Sequence, residues 1–186
     1  KNNFSDQGEI LKTVGRGECS IADGVFRSKG SYACFGNPEW KNYTMSFKAR
    51  APKEAEQVQI WAGFRANNRF DRYVVGLKGG LQDDLYLMRM GYMGTDEFMG
   101  VRPLGFHPVP GQWYKLKVEV CGSRIRIFLN DEKEPRMDIT DKNSNLAPSG
   151  PVTLGGGWIE TEFDDLVVAP LEEDALKDVK VAEYRK

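Results

Sequence analysis

The chain has 186 residues, 40% hydrophobic and 28% charged, with a formal net charge of -1. That length supports one well-buried domain and leaves little room for two. The near-neutral balance gives no global field favouring nucleic acid or an anionic membrane, and no run of about 18 apolar residues offers a spanning helix.

Strand signals follow one another along the chain. Stretches near Cys19–Ile21, Val25–Ser28 and Ser31–Phe35 predict the first strands, and Ala22-Asp23-Gly24 supplies a turn that tolerates positive φ. "YTMSFKAR" (Tyr43–Arg50) alternates Tyr43, Met45, Phe47 and Ala49 against Thr44, Ser46, Lys48 and Arg50. "QVQIWAGFRANNRFDRYVVGL" (Gln57–Leu77) reads as two strands around a polar turn. Leu85–Met90 is another strand, and "MRMGYMGTDEF" runs from it into a loop.

In the second half, "WYKLKVEV" (Trp113–Val120) sets Tyr114, Leu116, Val118 and Val120 against Lys115, Lys117 and Glu119. "SRIRIFLND" (Ser123–Asp131) repeats the pattern with Ile125, Ile127 and Leu129, across a tight turn at Cys121-Gly122-Ser123. Val152–Leu154, a glycine turn at Gly155–Gly157 and Ile159–Val168 complete the strands. Clean period-two alternation marks antiparallel strands with one face in a core and one facing water. The expected fold is therefore all-β, a two-sheet antiparallel sandwich of jelly-roll type over residues 1–170. Residues 171–186 read as a charged tail or a linker to a further domain.

Catalytic signals are sparse. His107 is the only histidine and lies in a Pro-flanked turn with no nucleophile motif, so it reads as a loop residue. Cys19, Cys34 and Cys121 form no C-x-x-C pair; a single Cys19–Cys34 bridge is compatible with the spacing. Glu160 and Glu162 lie two apart, as catalytic acids do in some sandwich glucanases, and form the alternative catalytic pair. The E-x-D-x-x-E pattern of family 16 glucanases is absent, and solvated strand carboxylates are the better reading. Asp164 and Asp165 offer oxygen ligands for a structural calcium; otherwise no cofactor is expected.

The remaining signal is aromatic and polar. Aromatic faces pack on the C–H side of sugar rings while planar polar groups pair with the hydroxyls. Period-two alternation puts Gln57, Gln59, Trp61 and Arg65 on one non-core face. Arg124, Arg126 and Phe128 provide a second set, and Arg89, Tyr92 and Phe98 a third near the expected loop.

Five stretches carry a family likeness: "ADGVFRSKG", "EWKNYTMSFKARAP", "WAGFRANNRFDRYVVGL", "GQWYKLKVEVCGSRIRIFLND" and "GGGWIETEFDDLVV". Their order resembles the concanavalin A-like lectin/glucanase superfamily, in particular the family 66-type carbohydrate-binding modules and domains related to 3-keto-disaccharide hydrolases. The likeness runs from about Ala22 to Val168 and rests on structural motifs, which specify fold better than ligand. It implies two antiparallel sheets with an oligo- or polysaccharide bound at a curved face or the loops beside it. Arg65 and Tyr73 match the family's "F-R…Y" positions, giving the expected ligand set Gln57, Gln59, Trp61, Arg65, Tyr73, Arg89, Tyr92 and Arg126. It also implies a non-catalytic module beside a catalytic domain, in a secreted or periplasmic glycan-degrading protein. The alternatives are a glycoside hydrolase and a purely structural sandwich.

Overall fold

Alternation builds the central strands of this protein. The computed structural model describes residues 12–67, 71–91 and 95–177. In chain order the strands are β1 (Lys12–Ala22), β2 (Val25–Phe35), β3 (Tyr43–Arg50), β4 (Gln59–Phe64), β5 (Arg72–Lys78) and β6 (Asp84–Met90). Then follow β7 (Glu97–Pro103), β8 (Tyr114–Cys121), β9 (Arg124–Leu129), β10 (Met137–Thr140), β11 (Val152–Gly155) and β12 (Thr161–Pro170). β3 buries every second residue along its whole length, as the sequence pattern requires.

The hydrogen-bonded path runs β10-β9-β8-β3-β12-β2-β11-β4-β5-β6-β7, with β1 added on β2. β2 is the element that joins the two halves. Phe26, Arg27 and Ser28 pair with β12, whereas Tyr32 to Phe35 pair with β11. Gly30, at φ +69, lies between these two stretches and supplies the change of direction. The two expected strands Val25–Ser28 and Ser31–Phe35 are thus one continuous strand.

The halves fold over each other and close a single core. Met45, Phe47, Leu116, Val118 and Ile127 from one half meet Ile60, Phe64, Val75, Leu77 and Leu87 from the other. Phe163 packs at a tilt between Phe26 and Phe47, with ring centroids 5.9 Å from each. Burying each such side chain stabilises the fold by roughly 1.5–3 kcal/mol. Tyr43, Tyr73 and Tyr114 are also fully buried, and each hydroxyl has a partner. The far ends of the path meet where a Cβ on Gly100 of β7 would lie 2.7 Å from Ile139 Cδ1 of β10.

Several sequence expectations are corrected here. β7 and β10 were not expected, and Phe98 lies on a strand rather than in a loop, while Arg89 lies on β6 as the expected strand Leu85–Met90 requires. Cys19 and Cys34 are free thiols. Cys19 pairs with Ser28 and Cys34 with Lys12, so they sit at opposite ends of the β1–β2 hairpin, beyond disulfide reach. The stretch after Pro170 turns back onto the sandwich through residue 177. Leu171 N–H donates to Asn42 O, Arg124 Nη1 donates to Leu176 O, and Leu176 is buried. Among the described residues no helix is long and apolar enough to cross a membrane.

Candidate functional site

Placement of the expected ligand residues starts at the end of β4. Alternation puts Arg65 beside Trp61 on the outer face, but the backbone takes φ +48 at Arg65 and turns the side chain inward. Arg65 is only 2% exposed. Its Nε donates to Lys41 O and its Nη1 to Gly122 O, both at 2.8 Å, while its N–H donates to Tyr43 Oη at 2.7 Å. Burial pulls the guanidinium below its ordinary pKa. Arg65 is a clamp holding three segments together, with no face turned to solvent.

Tyr73 is equally internal. Its ring stacks on Phe64 at 5.1 Å and its hydroxyl donates to Asp141 Oδ2 at 2.6 Å. Arg89 donates to the same carboxylate oxygen and pairs with Glu97. Burial raises the Asp141 carboxyl, but the bonds from Arg89 and Tyr73 outweigh that and hold it below the usual range. Arg126 is half-buried and grips Glu119 through Nε and Nη2 at 2.9 and 2.6 Å. Arg124 is paired with Asp138 in the same way. Tyr92 lies outside the described residues.

The carboxylate candidates are engaged too. Glu162 is buried and takes one arginine on each oxygen, Arg27 at 2.8 Å and Arg50 at 2.6 Å. Burial pushes its carboxyl up, yet the two arginines win and hold it below the ordinary value. A carboxylate so held is a fixed anion and a poor proton donor, which argues against Glu162 as the acid of the Glu160–Glu162 pair. Asp164 and Asp165 flank a bulge in β12, where Lys48 Nζ lies 3.1 Å from one and 3.2 Å from the other. The ammonium already occupies the place between them, so this donor set does not fit a calcium ion. Among the described residues no cluster of three His, Cys, Asp or Glu is placed to hold a metal.

What remains near the expected face is a loop. Trp61 is half-buried, packed with Val74, Tyr86, Met88 and Met90 in a small second cluster on the outer side. Tyr86 lies flat over Gly76, where a Cβ would come within 2.1 Å of its ring. Gln57 is exposed. Gln59 reaches across instead of outward: its Oε1 accepts from Trp158 N–H at 2.7 Å and from Ile159 N–H at 3.3 Å. Its backbone carbonyl accepts from Thr161 Oγ1 at 2.9 Å.

Those bonds fix the turn Gly155-Gly156-Gly157-Trp158, whose first two glycines have φ +98 and +106. Gly156 N–H donates to Ser31 O, and Gly30 N–H donates to Gly157 O, tying the turn to β2. Gly156 lies beside Tyr32, Arg72 and Trp61, and the Arg72 guanidinium stacks 3.9 Å from the Tyr32 ring centre. Held from behind in this way, Trp158 projects its indole into solvent, 77% exposed.

Two clefts flank the indole. One, of about 830 Å³, is lined by Arg16, Glu18, Lys29 and the glycines 15, 17 and 30. The other, of about 350 Å³, is lined by Lys29, Glu54, Glu56, Ile159 and Glu160. Both volumes fall within the roughly 300–1,000 Å³ of small-molecule sites. The glycines matter to the first cleft: a Cβ on Gly17 would lie 1.9 Å from Lys29 O, so only glycine lets the strands approach there. Sequence reasoning did not single out Trp158. The available signal was its position, directly after three glycines, where no core slot awaits it.

No protein-family model matches the chain, and no curated protein matches its sequence. Solved structures do match. A family 66 carbohydrate-binding module from Bacillus subtilis superposes with a TM-score of 0.71 over 86% of this chain and 96% of its own, at 14% identity. The fold is an antiparallel β-sandwich of the kind these solved structures share. A Bacillus subtilis protein with a galectin-like fold matches with a TM-score of 0.61 at 12% identity, covering 91% of this chain and 94% of that one. Sheep galectin-11 matches with a TM-score of 0.54 at 13% identity, over 76% and 98%.

Proposed function

We propose that this sandwich is a non-catalytic carbohydrate-binding domain whose glycan packs on Trp158. The observation that carries this reading is the exposed indole on a loop fixed by hydrogen bonds to the Gln59 side chain of β4 and to the backbone of β2. Exposing so large an apolar side chain forfeits the stabilisation its burial would give, and rigidity removes the ordering cost that binding would otherwise meet. A sugar ring stacked on the indole recovers the apolar contact. Lys29, Glu18 and Glu160 stand beside it to pair with hydroxyls. Support also comes from the carbohydrate-binding module and the galectin among its structural matches.

The same reading carries a neighbouring catalytic domain and a secreted or periplasmic location, the setting of the modules that the sequence resembles. A glycan array followed by calorimetry on wild type and Trp158→Ala tests it. Trp158→Ala is expected to weaken the best glycan at least about tenfold, a change of about 1.4 kcal/mol, with the melting temperature kept. Absence of binding to any glycan at millimolar concentration would overturn it.

A further inference from the structure

We infer, resting on the glycan reading above, that this site selects uncharged glycan chains and rejects polyanionic ones through Glu54, Glu56 and Glu160 beside Trp158. The three carboxylates line the smaller cleft together with a single cation, Lys29. The larger cleft adds one of each sign, Arg16 and Glu18. Among the residues lining the two clefts, then, four carboxylates stand against two cations, and Arg27 acts on Glu160 from outside them.

Their condition differs from that of the acids elsewhere on the sheets. Glu162, Asp164, Glu119 and Asp138 each sit against a lysine or arginine within 3.1 Å. Glu54, Glu56 and Glu160 are exposed and, among the described residues, make no contact ion pair, with Arg27 attracting Glu160 from farther off. A free carboxylate is a strong, acceptor-only group, well matched to the hydroxyl donors of a neutral sugar. An ionised uronate or sulfate brought to the same place meets like charge at contact distance, well inside the roughly 8–10 Å screening length of ordinary salt. Trp158 supplies affinity by packing, which is indifferent to charge, and the carboxylates supply the discrimination.

Calorimetry on the full chain decides this with three sets of oligosaccharides matched in length. The neutral set holds gluco-, manno-, xylo- and fructo-oligosaccharides, the acidic set oligogalacturonate and sulfated heparin fragments, and the cationic set chitosan fragments. The tightest neutral binder is expected to exceed every acidic one by at least about tenfold, with an affinity that barely changes between low and high salt. The combined variant Glu54→Gln, Glu56→Gln, Glu160→Gln is expected to shrink that gap by about fivefold or more. Tightest binding of an acidic glycan would overturn the inference. Tightest binding of chitosan, weakened by salt, would overturn it as well, because the site would then select cations. If Trp158→Ala abolishes binding but the triple variant leaves the gap unchanged, the inference fails while the glycan reading stands. If no set binds, both fall.

Discussion

Gln59 Oε1 accepts two consecutive backbone N–H groups, those of Trp158 and Ile159, from a turn that is distant in sequence. One side chain of β4 thereby sets the orientation of an indole it does not need to touch. Gln59 is a positioning residue, and its role can be separated from simple stability. Gln59→Ala frees the turn and is expected to weaken glycan binding by about tenfold, whereas Gln59→Glu keeps an acceptor at the same place and is expected to restore most of it. Equal losses in both variants would show that the amide itself, and not its acceptor, is what the site uses.

The two tryptophans of this region are expected to part company on truncation. Trp158→Ala removes a side chain that faces water and is expected to change stability by less than about 0.5 kcal/mol. Trp61→Ala opens the cluster with Val74, Tyr86, Met88 and Met90. A fully buried tryptophan costs about 3–5 kcal/mol on truncation, and the half-buried Trp61 is expected to cost about 1–3. Thermal melts of the two variants measure this directly. A stable Trp61→Ala with lost binding would instead return the ligand to the outer face of β4.

The fold was legible because β3, β8 and β9 keep strict alternation against one shared core. β7 was not, since an edge strand with mostly exposed residues carries no alternation to read. β10 is only four residues long and gives the eye too little pattern. Arg65 was misplaced for one physical reason. Extending the period of two past Phe64 assumes extended backbone, and the left-handed residue Arg65 ends that periodicity. Alternation alone also gives no sign that Gln59 spends its Oε1 on the Trp158 loop instead of facing outward.

Calcium is expected to leave the protein unmoved. A calcium ion needs six to eight oxygens at about 2.3–2.6 Å, and the Asp164–Asp165 bulge already holds Lys48 in that space. Melting curves with added calcium and with chelator should coincide. A shift of more than a degree or two, abolished by Asp164→Asn, would mean that the lysine is displaced and the ion takes its place. Lys48→Met provides the complementary arm: removing the ammonium leaves two neighbouring carboxylates in mutual repulsion, and only then should added calcium raise the melting temperature.

The acid limb of stability should report Glu162 and Asp141. Both carboxyls are held below their ordinary values in the folded chain, Glu162 by Arg27 and Arg50 and Asp141 by Arg89 and Tyr73. A carboxyl depressed on folding contributes stability that is fully present above its unfolded pKa, about 4, and is lost as pH falls through the lower folded value. Unfolding is therefore expected to become easier below about pH 4, while the range above it stays flat with respect to these two groups. Glu162→Gln removes one of them. It leaves Arg27 and Arg50 facing each other around a neutral amide, so stability at neutral pH should drop, and the loss on acidification should be smaller than in wild type. Denaturant melts of both proteins from neutral pH down to about pH 2 measure the two slopes. Parallel acid limbs in the two proteins would mean that Glu162 titrates alike in the folded and unfolded chains, and that the arginine pair does not hold its proton off.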